Sequence, residues 1–337
     1  MSEVFANLLV VGIVFGAEGS ALYALAIVAT AVLTLGYSAL GGLRAALRTD
    51  VLQMSVLLVV LAGLALHLFT GPAFDLPAIV VSSPDSSGPG WVLLVVALLQ
   101  VWSYPLHDPV MMDRGFIADR ETTRRSFIHA CWLSLACIVA FGLIGVHAGL
   151  VALDGEDMMA TLVRILGEPV MLALQFALVL SAVSTLDSTF ASAAKLTVVD
   201  MGIARPTAAN GRIAMTFFLA GGLALLLLGS DDLFAAVAVS GTASMFLAPV
   251  VFFCIWGGRH VATWAYGVAF LAALTAAASY FAESAGHIDL VAAVTGLEHR
   301  YSQLLALSAA TLAAGCCVFA LGLRPRRTGS ETGLRRS

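Results

Sequence analysis

The chain has 337 residues, of which 60% are hydrophobic and 11% are charged. A soluble domain carries roughly 25% charged residues, so this composition excludes a soluble globular protein, and we expect no nucleic-acid partner. The mean hydropathy of +0.96 and the long apolar segments predict an all-α polytopic membrane protein embedded in a lipid bilayer. The net charge of −4 adds little.

Nine windows of about 20 apolar residues are long enough to cross a bilayer. A tenth segment, from Phe5 to Gly16, precedes them and is too short to span. We predict one transmembrane transporter domain over residues 1–323 and a basic cytoplasmic tail over 324–337. The nine windows are 20–42, 50–69, 91–112, 127–151, 170–196, 212–229, 232–256, 261–282 and 302–323.

The cations are distributed unevenly between alternate loops. One set of loops, together with the C-terminal tail, holds 15 of the 17 Lys and Arg residues, and the opposite set holds Arg164 and Arg300. The positive-inside rule therefore predicts a multi-pass protein of the cytoplasmic (inner) membrane with its C-terminus in the cytoplasm. The 15 cations are Arg44, Arg48, Arg114, Arg120, Arg124, Arg125, Lys195, Arg205, Arg212, Arg259, Arg324, Arg326, Arg327, Arg335 and Arg336.

The first residues do not have the basic region and cleavage site of a signal peptide. The sequence leads directly from Met1-Ser2-Glu3 into the half-length apolar segment. This segment is either a short re-entrant or interfacial helix, or the end of a helix whose beginning belongs to a longer protein. We expect the second arrangement.

A glycine pair, Gly41 and Gly42, ends the first window. Paired glycines permit a tight turn, so we expect a cytoplasmic turn here. Thr49 is placed to cap the next helix, and Asp50 suits the positive end of that helix dipole. Asp50 is therefore either a structural first-turn acid or a ligand.

The third window is interrupted by Pro105 and Pro109, which remove backbone hydrogen bonds from a helix. Broken backbone at membrane depth is tolerated where it lines a cavity; the alternative is a kink beside an interfacial aromatic belt. Just beyond, we expect Asp113 and Arg114 to form an interfacial ion pair. The candidate cavity residues are Trp102, Tyr104, His107 and Asp108.

A polar stripe lies inside the apolar run 171–199. Its hydroxyls recur at spacings that place them on one helical face, and Asp187 lies beside them. A carboxylate and a row of hydroxyls at membrane depth are costly unless they coordinate something. Their oxygens suit a hard cation such as sodium. The hydroxyl residues are Ser181, Ser184, Thr185 and Ser188.

Other features carry less information. The small polar residues of 240–244, including Thr242, favour close helix packing or a local opening. The five cysteines lack metal-ligand spacing and are interpreted as small core residues. No Walker motif, zinc spacing, nucleophile elbow or acid–base pair is found, so we expect neither an enzyme nor a cofactor other than a coupling ion.

Three stretches in order resemble the sodium:solute symporter family, which includes proline, sugar, sialic acid and iodide carriers. Gly41 to Gln53 resembles the loop into core helix five, and Asp108 to Asp119 resembles the cytoplasmic end of core helix six. Ser181 to Ser188, followed by Asp200, resembles the sodium-binding core helix eight. The resemblance covers about Phe5 to Trp256.

The resemblance implies a five-plus-five inverted-repeat fold, similar to that of the leucine transporter, with alternating access. It implies sodium-coupled symport of a small polar organic solute. One sodium site would use the Ser181 carbonyl and the hydroxyls of Ser184 and Thr185. The residues of a second sodium site would be Asp50, Ser184, Asp187 and Ser188. Those of the substrate cavity would be Trp102, Ser103 and Thr242, with Tyr104 as its gate and with His107 and Asp108 nearby.

The family's first core helices are missing from this sequence. We therefore expect the chain to be part of a longer protein or of a split transporter whose N-terminal half is supplied by another chain. The alternatives are a symporter-like sensory module, a proton-coupled or channel-like protein that uses Asp187 and Asp108, and a non-functional remnant.

Overall fold

A computed structural model of the chain describes residues 1–17, 19–85, 87–228 and 233–324, with backbone only at 42–45, 105, 228 and 233–236. The Arg44 side chain, Asp231, Asp232 and the tail from 325 lie outside the described residues. The helices are α1 (Ser2–Phe15), α2 (Ala21–Phe69), α3 (Leu76–Val80), α4 (Pro89–Gln100), α5 (Tyr104–His107), α6 (Pro109–Gly115), α7 (Arg120–Val151), α8 (Met158–Leu166), α9 (Glu168–Lys195), α10 (Ala208–Leu228), α11 (Leu233–Ser244), α12 (Thr263–Ser284), α13 (Leu290–Thr295) and α14 (Arg300–Leu321).

Within the described residues, eight helical segments are long and apolar enough to cross a membrane. They coincide with eight of the nine predicted windows, and this supports a multi-pass helical membrane protein. The window 91–112 is not one helix: α4 ends at Gln100, a 3-10 turn covers Val101–Ser103, and α6 begins only at Pro109. The break that the prolines predict is therefore confirmed.

Two of the eight segments belong to one run of helical backbone, α2. The loop predicted at Gly41 and Gly42 is therefore wrong, and Thr49 and Asp50 lie inside a helix rather than at its first turn. Each glycine costs about 1 kcal/mol in a helix. The Leu, Arg and Ala residues that follow are strong helix formers, and they carry the backbone through.

α2 is nevertheless bent. The hydroxyls of Tyr37 and Thr49 lie 2.7 and 3.4 Å from the same carboxylate oxygen of Asp187. Twelve residues of straight helix would separate the two Cα atoms by about 18 Å. The contacts and the lengths of the two side chains permit about 15 Å. The helix axis must therefore change direction between Tyr37 and Thr49, in the segment that contains the glycine pair.

The described chain divides into two compact units. The first, Met1–Gly88 with Asp108–Val237, is organised around α9, which packs against α1, α2 and α10. Leucines of α2 meet Ile144 of α7 and the start of α9 in a buried apolar cluster. At the α1–α10 crossing, Gly222 lies so close to Val4 that an added Cβ would be 2.5 Å from a valine methyl.

The second unit comprises Pro89–His107 and residues from Ala238 onward. Its α12 buries an alanine at every fourth position along one face, which permits close approach of α14. Phe319 of α14 fills the space beside this stripe and is completely buried. The stripe consists of Ala265, Ala269, Ala273 and Ala277.

Candidate functional site: a buried two-carboxylate cluster

The candidate site is built on α9, in the first unit. The helix begins after Gly167, whose φ of 77° suits glycine, and it runs for 28 residues before a wider π turn, Leu196–Asp200. The helix is both long enough and apolar enough to cross a membrane. Within it, Asp187 and Ser188 are only 1% and 2% exposed. α9 therefore holds a carboxylate and a hydroxyl where neither is accessible to bulk water.

The second carboxylate comes from α2. Asp50 accepts a 2.5 Å hydrogen bond from the hydroxyl of Ser184, one turn before Ser188 on the same face of α9. Its other oxygen lies 3.4 Å from the Ser188 hydroxyl. The same oxygen is 2.5 Å from the guanidinium of Arg114, on α6. Three helices thus converge on Asp50.

Ser188 lies between the two carboxylates. Its hydroxyl is 3.4 Å from Asp50 and 3.3 Å from Asp187, and it accepts a 3.2 Å hydrogen bond from Arg114. A serine has one hydroxyl hydrogen, so it can donate to only one carboxylate at a time. Asp187 therefore depends on other donors. Tyr37 donates at 2.7 Å, and Thr49 lies at 3.4 Å.

The remaining predicted sodium ligands are arranged differently. The Thr185 hydroxyl donates to the Ser181 carbonyl at 3.1 Å, along the helix axis of α9. Both residues are half-buried and belong to the same helical turn as Ser184. The structure brings Asp50, Ser184, Asp187 and Ser188 together, and it places Ser181 and Thr185 as a separate pair beside them.

The expected pairing of Asp113 with Arg114 is wrong. Arg114 binds Asp50, and Asp113 instead forms an ion pair with Lys195, at the end of α9, at a distance of 2.7 Å. Lys195 also contacts Asp200 at 2.9 Å. Neighbours in sequence on a helix point in different directions, so the two side chains of α6 reach separate partners.

The electrostatics of the cluster leave one charge unbalanced. When ionised, Asp50 and Asp187 carry two negative charges and Arg114 carries one positive charge. A buried charge without a partner is costly, because the protein interior solvates it less well than water does. One monovalent cation or one proton would neutralise the excess, and the carboxylate and hydroxyl oxygens are ligands that hard cations accept.

Beside the cluster, the first unit contains a groove of about 440 Å³ between α6 and the start of α7. Arg114 and Asp108 are its charged lining residues, and Thr123 and Ser126 are its other polar ones. Asp108 also caps α6, because its carboxylate accepts a 2.9 Å hydrogen bond from the amide of Val110. This predicted cavity residue therefore has a structural role and a place in a groove wall.

The other predicted cavity residues belong to the second unit. Ser103 and Thr242 are buried in helix contacts: Ser103 lies 2.9 Å from the Ser244 hydroxyl, and Thr242 accepts a 3.1 Å hydrogen bond from Gln100. Their environment fits the close-packing interpretation of the 240–244 segment. The aromatic residues are more exposed: Trp102 contacts Trp256 edge-on, and Tyr104 contacts His107 edge-on.

Sequence reasoning missed three members of the cluster. Thr49 was assigned to a helix cap, Arg114 was paired with its neighbour, and Tyr37 was assigned no role. The adjacency of Asp113 and Arg114 could have corrected the second assignment. For Tyr37 there was no signal, because its partner lies 150 residues away in the chain.

Comparison with known proteins leaves the family open. No protein-family model and no curated protein matches the chain.

Proposed function

We propose that the chain carries the coupling-ion site of a sodium-driven symporter for a small polar organic solute, of the sodium:solute symporter type. One observation carries the proposal. Asp50 and Asp187 share a hydroxyl network whose charge exceeds that of Arg114 by one, in helical segments long enough to cross a membrane. An excess carboxylate charge in a buried site favours the binding of a cation, and this supports the proposal.

In this proposal, sodium binds between α2 and α9. It contacts Asp50 and Ser184, while Ser188 and Asp187 complete the oxygen set. Binding places a cation between the carboxylates of α2 and α9 and draws the two helices together, which favours the conformation that the ion fits best. An inward sodium gradient then biases alternating access, because the membrane potential contributes roughly 2.3 kcal/mol per charge per 100 mV. The C-terminus lies in the cytoplasm, as the distribution of Arg and Lys predicts.

Equilibrium binding of ²²Na⁺ to the purified chain tests the proposal. We expect saturable binding that unlabelled sodium displaces and potassium does not. Asp187→Asn should weaken it at least about tenfold, because the charge is lost while the hydrogen-bonding shape is kept. The matched control is Asp200→Asn, which removes an exposed carboxylate just after the same helix. Absence of saturable sodium binding, or unchanged binding in Asp187→Asn, contradicts the proposal.

A proton-coupled carrier is the second candidate. It is favoured by the near-complete burial of Asp187 and by the single excess charge, which a proton would balance as well as sodium. Potentiometric titration of the wild type and Asp187→Asn distinguishes the two. Proton uptake near neutral pH that disappears in the variant, without any sodium binding, supports the proton-coupled carrier. Sodium binding that releases at most a fraction of a proton supports the symporter.

A further inference from the structure

Arg114 is shared by two features of the first unit. Its guanidinium contacts Asp50 at 2.5 Å and Ser188 at 3.2 Å inside the cluster. The same side chain lines the groove between α6 and α7 and is 43% exposed. Among the described residues that line the groove, Arg114 is the one that also hydrogen-bonds to the two-carboxylate cluster.

The guanidinium lies between oxygen atoms that could also bind a metal cation. Asp50 is 18% exposed, and one of its oxygens faces Arg114 while the other faces Ser184. Arginine keeps its charge at all physiological pH values and presents several donors at once. It therefore satisfies Asp50 and Ser188 together, as a bound metal cation would.

We propose that Arg114 competes with the coupling ion for the same carboxylate. The guanidinium occupies the position between Asp50 and Ser188 when the site is empty, and it leaves this position when the ion is fully bound. This inference rests on the proposed function. Sodium bound to Asp50 would lie within a few ångströms of the guanidinium, and two cations at that separation repel one another. The measured sodium affinity would thus depend on the difference between the binding free energies of sodium and of the Arg114 guanidinium at Asp50.

The groove gives the displaced side chain a destination. Arg114 is a long, flexible residue, and the space beside it has the size of a small-ligand pocket. α6 itself need not move, because the neighbouring Asp113 remains bound to Lys195 on α9 at 2.7 Å. The exchange is therefore a swing of one side chain from the cluster to the groove, which also opens the cluster toward the groove.

Sodium affinity of Arg114 variants tests this inference, with ²²Na⁺ binding to the full chain as the readout. Arg114→Gln removes the competitor, so we expect about tenfold tighter sodium binding. Arg114→Lys keeps the charge but loses the fork that holds Asp50 and Ser188 together, so we expect a smaller gain of about two- to fivefold. Arg125→Gln breaks an exposed ion pair with Glu121 on α7 and should bind as the wild type does.

The order of the affinities decides the outcome. If Arg114→Gln leaves Asp50 unpaired and the protein does not fold, Arg114→Lys decides alone. Affinities in either folded variant that equal or fall below that of Arg125→Gln overturn the competitor role. If the single substitution Asp50→Asn in the otherwise wild-type chain nevertheless abolishes sodium binding, the proposed sodium site is retained and only the competitor role fails. If no protein of the series, wild type included, binds sodium, the proposed function fails and this inference with it.

Discussion

The phenol hydroxyl of Tyr37 donates a 2.7 Å hydrogen bond to the carboxylate of Asp187 across the interface between α2 and α9. Asp187 is 1% exposed, so it needs a protein donor in place of water. The contacts from Thr49 and Ser188 are longer, at 3.4 and 3.3 Å. Tyr37 is therefore the principal partner of the buried carboxylate.

Removal of that donor is the first prediction. We expect Tyr37→Phe to lower the free energy of unfolding by about 1–3 kcal/mol, because it leaves a buried acceptor with weak contacts only. Reversible unfolding in mixed micelles measures the change. Tyr301→Phe is the control, since its hydroxyl makes an exposed 3.4 Å contact with Arg300. Equal stability of the two variants would show that the Tyr37 hydrogen bond contributes nothing.

The two hydroxyl residues at the centre of α9 should differ in importance. Ser184 donates to Asp50 at 2.5 Å, whereas Thr185 donates to its own helix at Ser181. We expect Ser184→Ala to weaken sodium binding at least about tenfold, because the ion loses a ligand oxygen beside Asp50. Thr185→Val tests the adjacent predicted site in the same ²²Na⁺ assay.

The control for Thr185→Val is Thr275→Val, in which an exposed threonine bonded to its own helix at 2.8 Å is replaced. A loss of sodium affinity in Thr185→Val that Thr275→Val does not show supports a site at Ser181 and Thr185. Equal sodium affinities for the two threonine variants remove that pair from the coupling-ion site. A Ser184→Ala protein with wild-type affinity removes Ser184.

The α1–α10 crossing gives a packing prediction. In Gly222→Ala, the new methyl group would lie 2.5 Å from a methyl of Val4 and 3.3 Å from the Phe5 backbone nitrogen. We expect a loss of about 1–3 kcal/mol in the free energy of unfolding from overpacking. Gly145→Ala, on α7 with open space around it, should be neutral or stabilising by up to about 1 kcal/mol. Equal effects would contradict the close crossing.

The connection before α8 gives a pH prediction. The Arg164 guanidinium, the amide of Leu153 and the Thr161 hydroxyl bind Glu156 and lower its pKa from 4.5 to about 2. The carboxylate form is thus favoured in the folded state. Its contribution to stability is complete above pH 4.5 and is lost as the pH falls toward 2.

We expect Glu156→Gln to lower the thermal unfolding temperature at pH 7 and to reduce the loss of stability between pH 4.5 and 2. Asp154→Asn, two residues earlier in the same exposed connection, is the control. The measurement is the unfolding temperature of each protein across that pH range. Parallel pH profiles for Glu156→Gln and the wild type would contradict the assigned ion pair with Arg164.

The length of the continuous apolar segments made the helical class and most spans predictable. The apolar windows coincide with eight helical segments, because long continuous hydrophobicity leaves few alternatives in a membrane. The prediction was wrong at Gly41 and Gly42, where local glycine preference was outweighed by the helix formers that follow. The chain does change direction between Tyr37 and Thr49, but it does so within helical backbone and not through a loop.

The site was predictable only in part. The spacing of Ser184 and Ser188 placed both on one face, and this is where Asp50 contacts α9. Arg114 and Tyr37 could not be found in the same way, because each reaches the cluster from a different helix. Which helices lie side by side depends on packing over long sequence separations, and a single sequence does not contain that information in its periodicity.

The contacts of Asp50 with α6 and α9 also imply an order of events during synthesis of the chain. Arg114 follows Asp50 by 64 residues and Ser184 follows it by 134. At a synthesis rate of about 5–20 residues per second, the partner cation is made roughly 3–13 s after the carboxylate, and the serine roughly 7–27 s after it. During that interval the carboxylate of Asp50 exists without the groups that contact it in the folded protein. The cluster can therefore form only after both α6 and α9 have been synthesised.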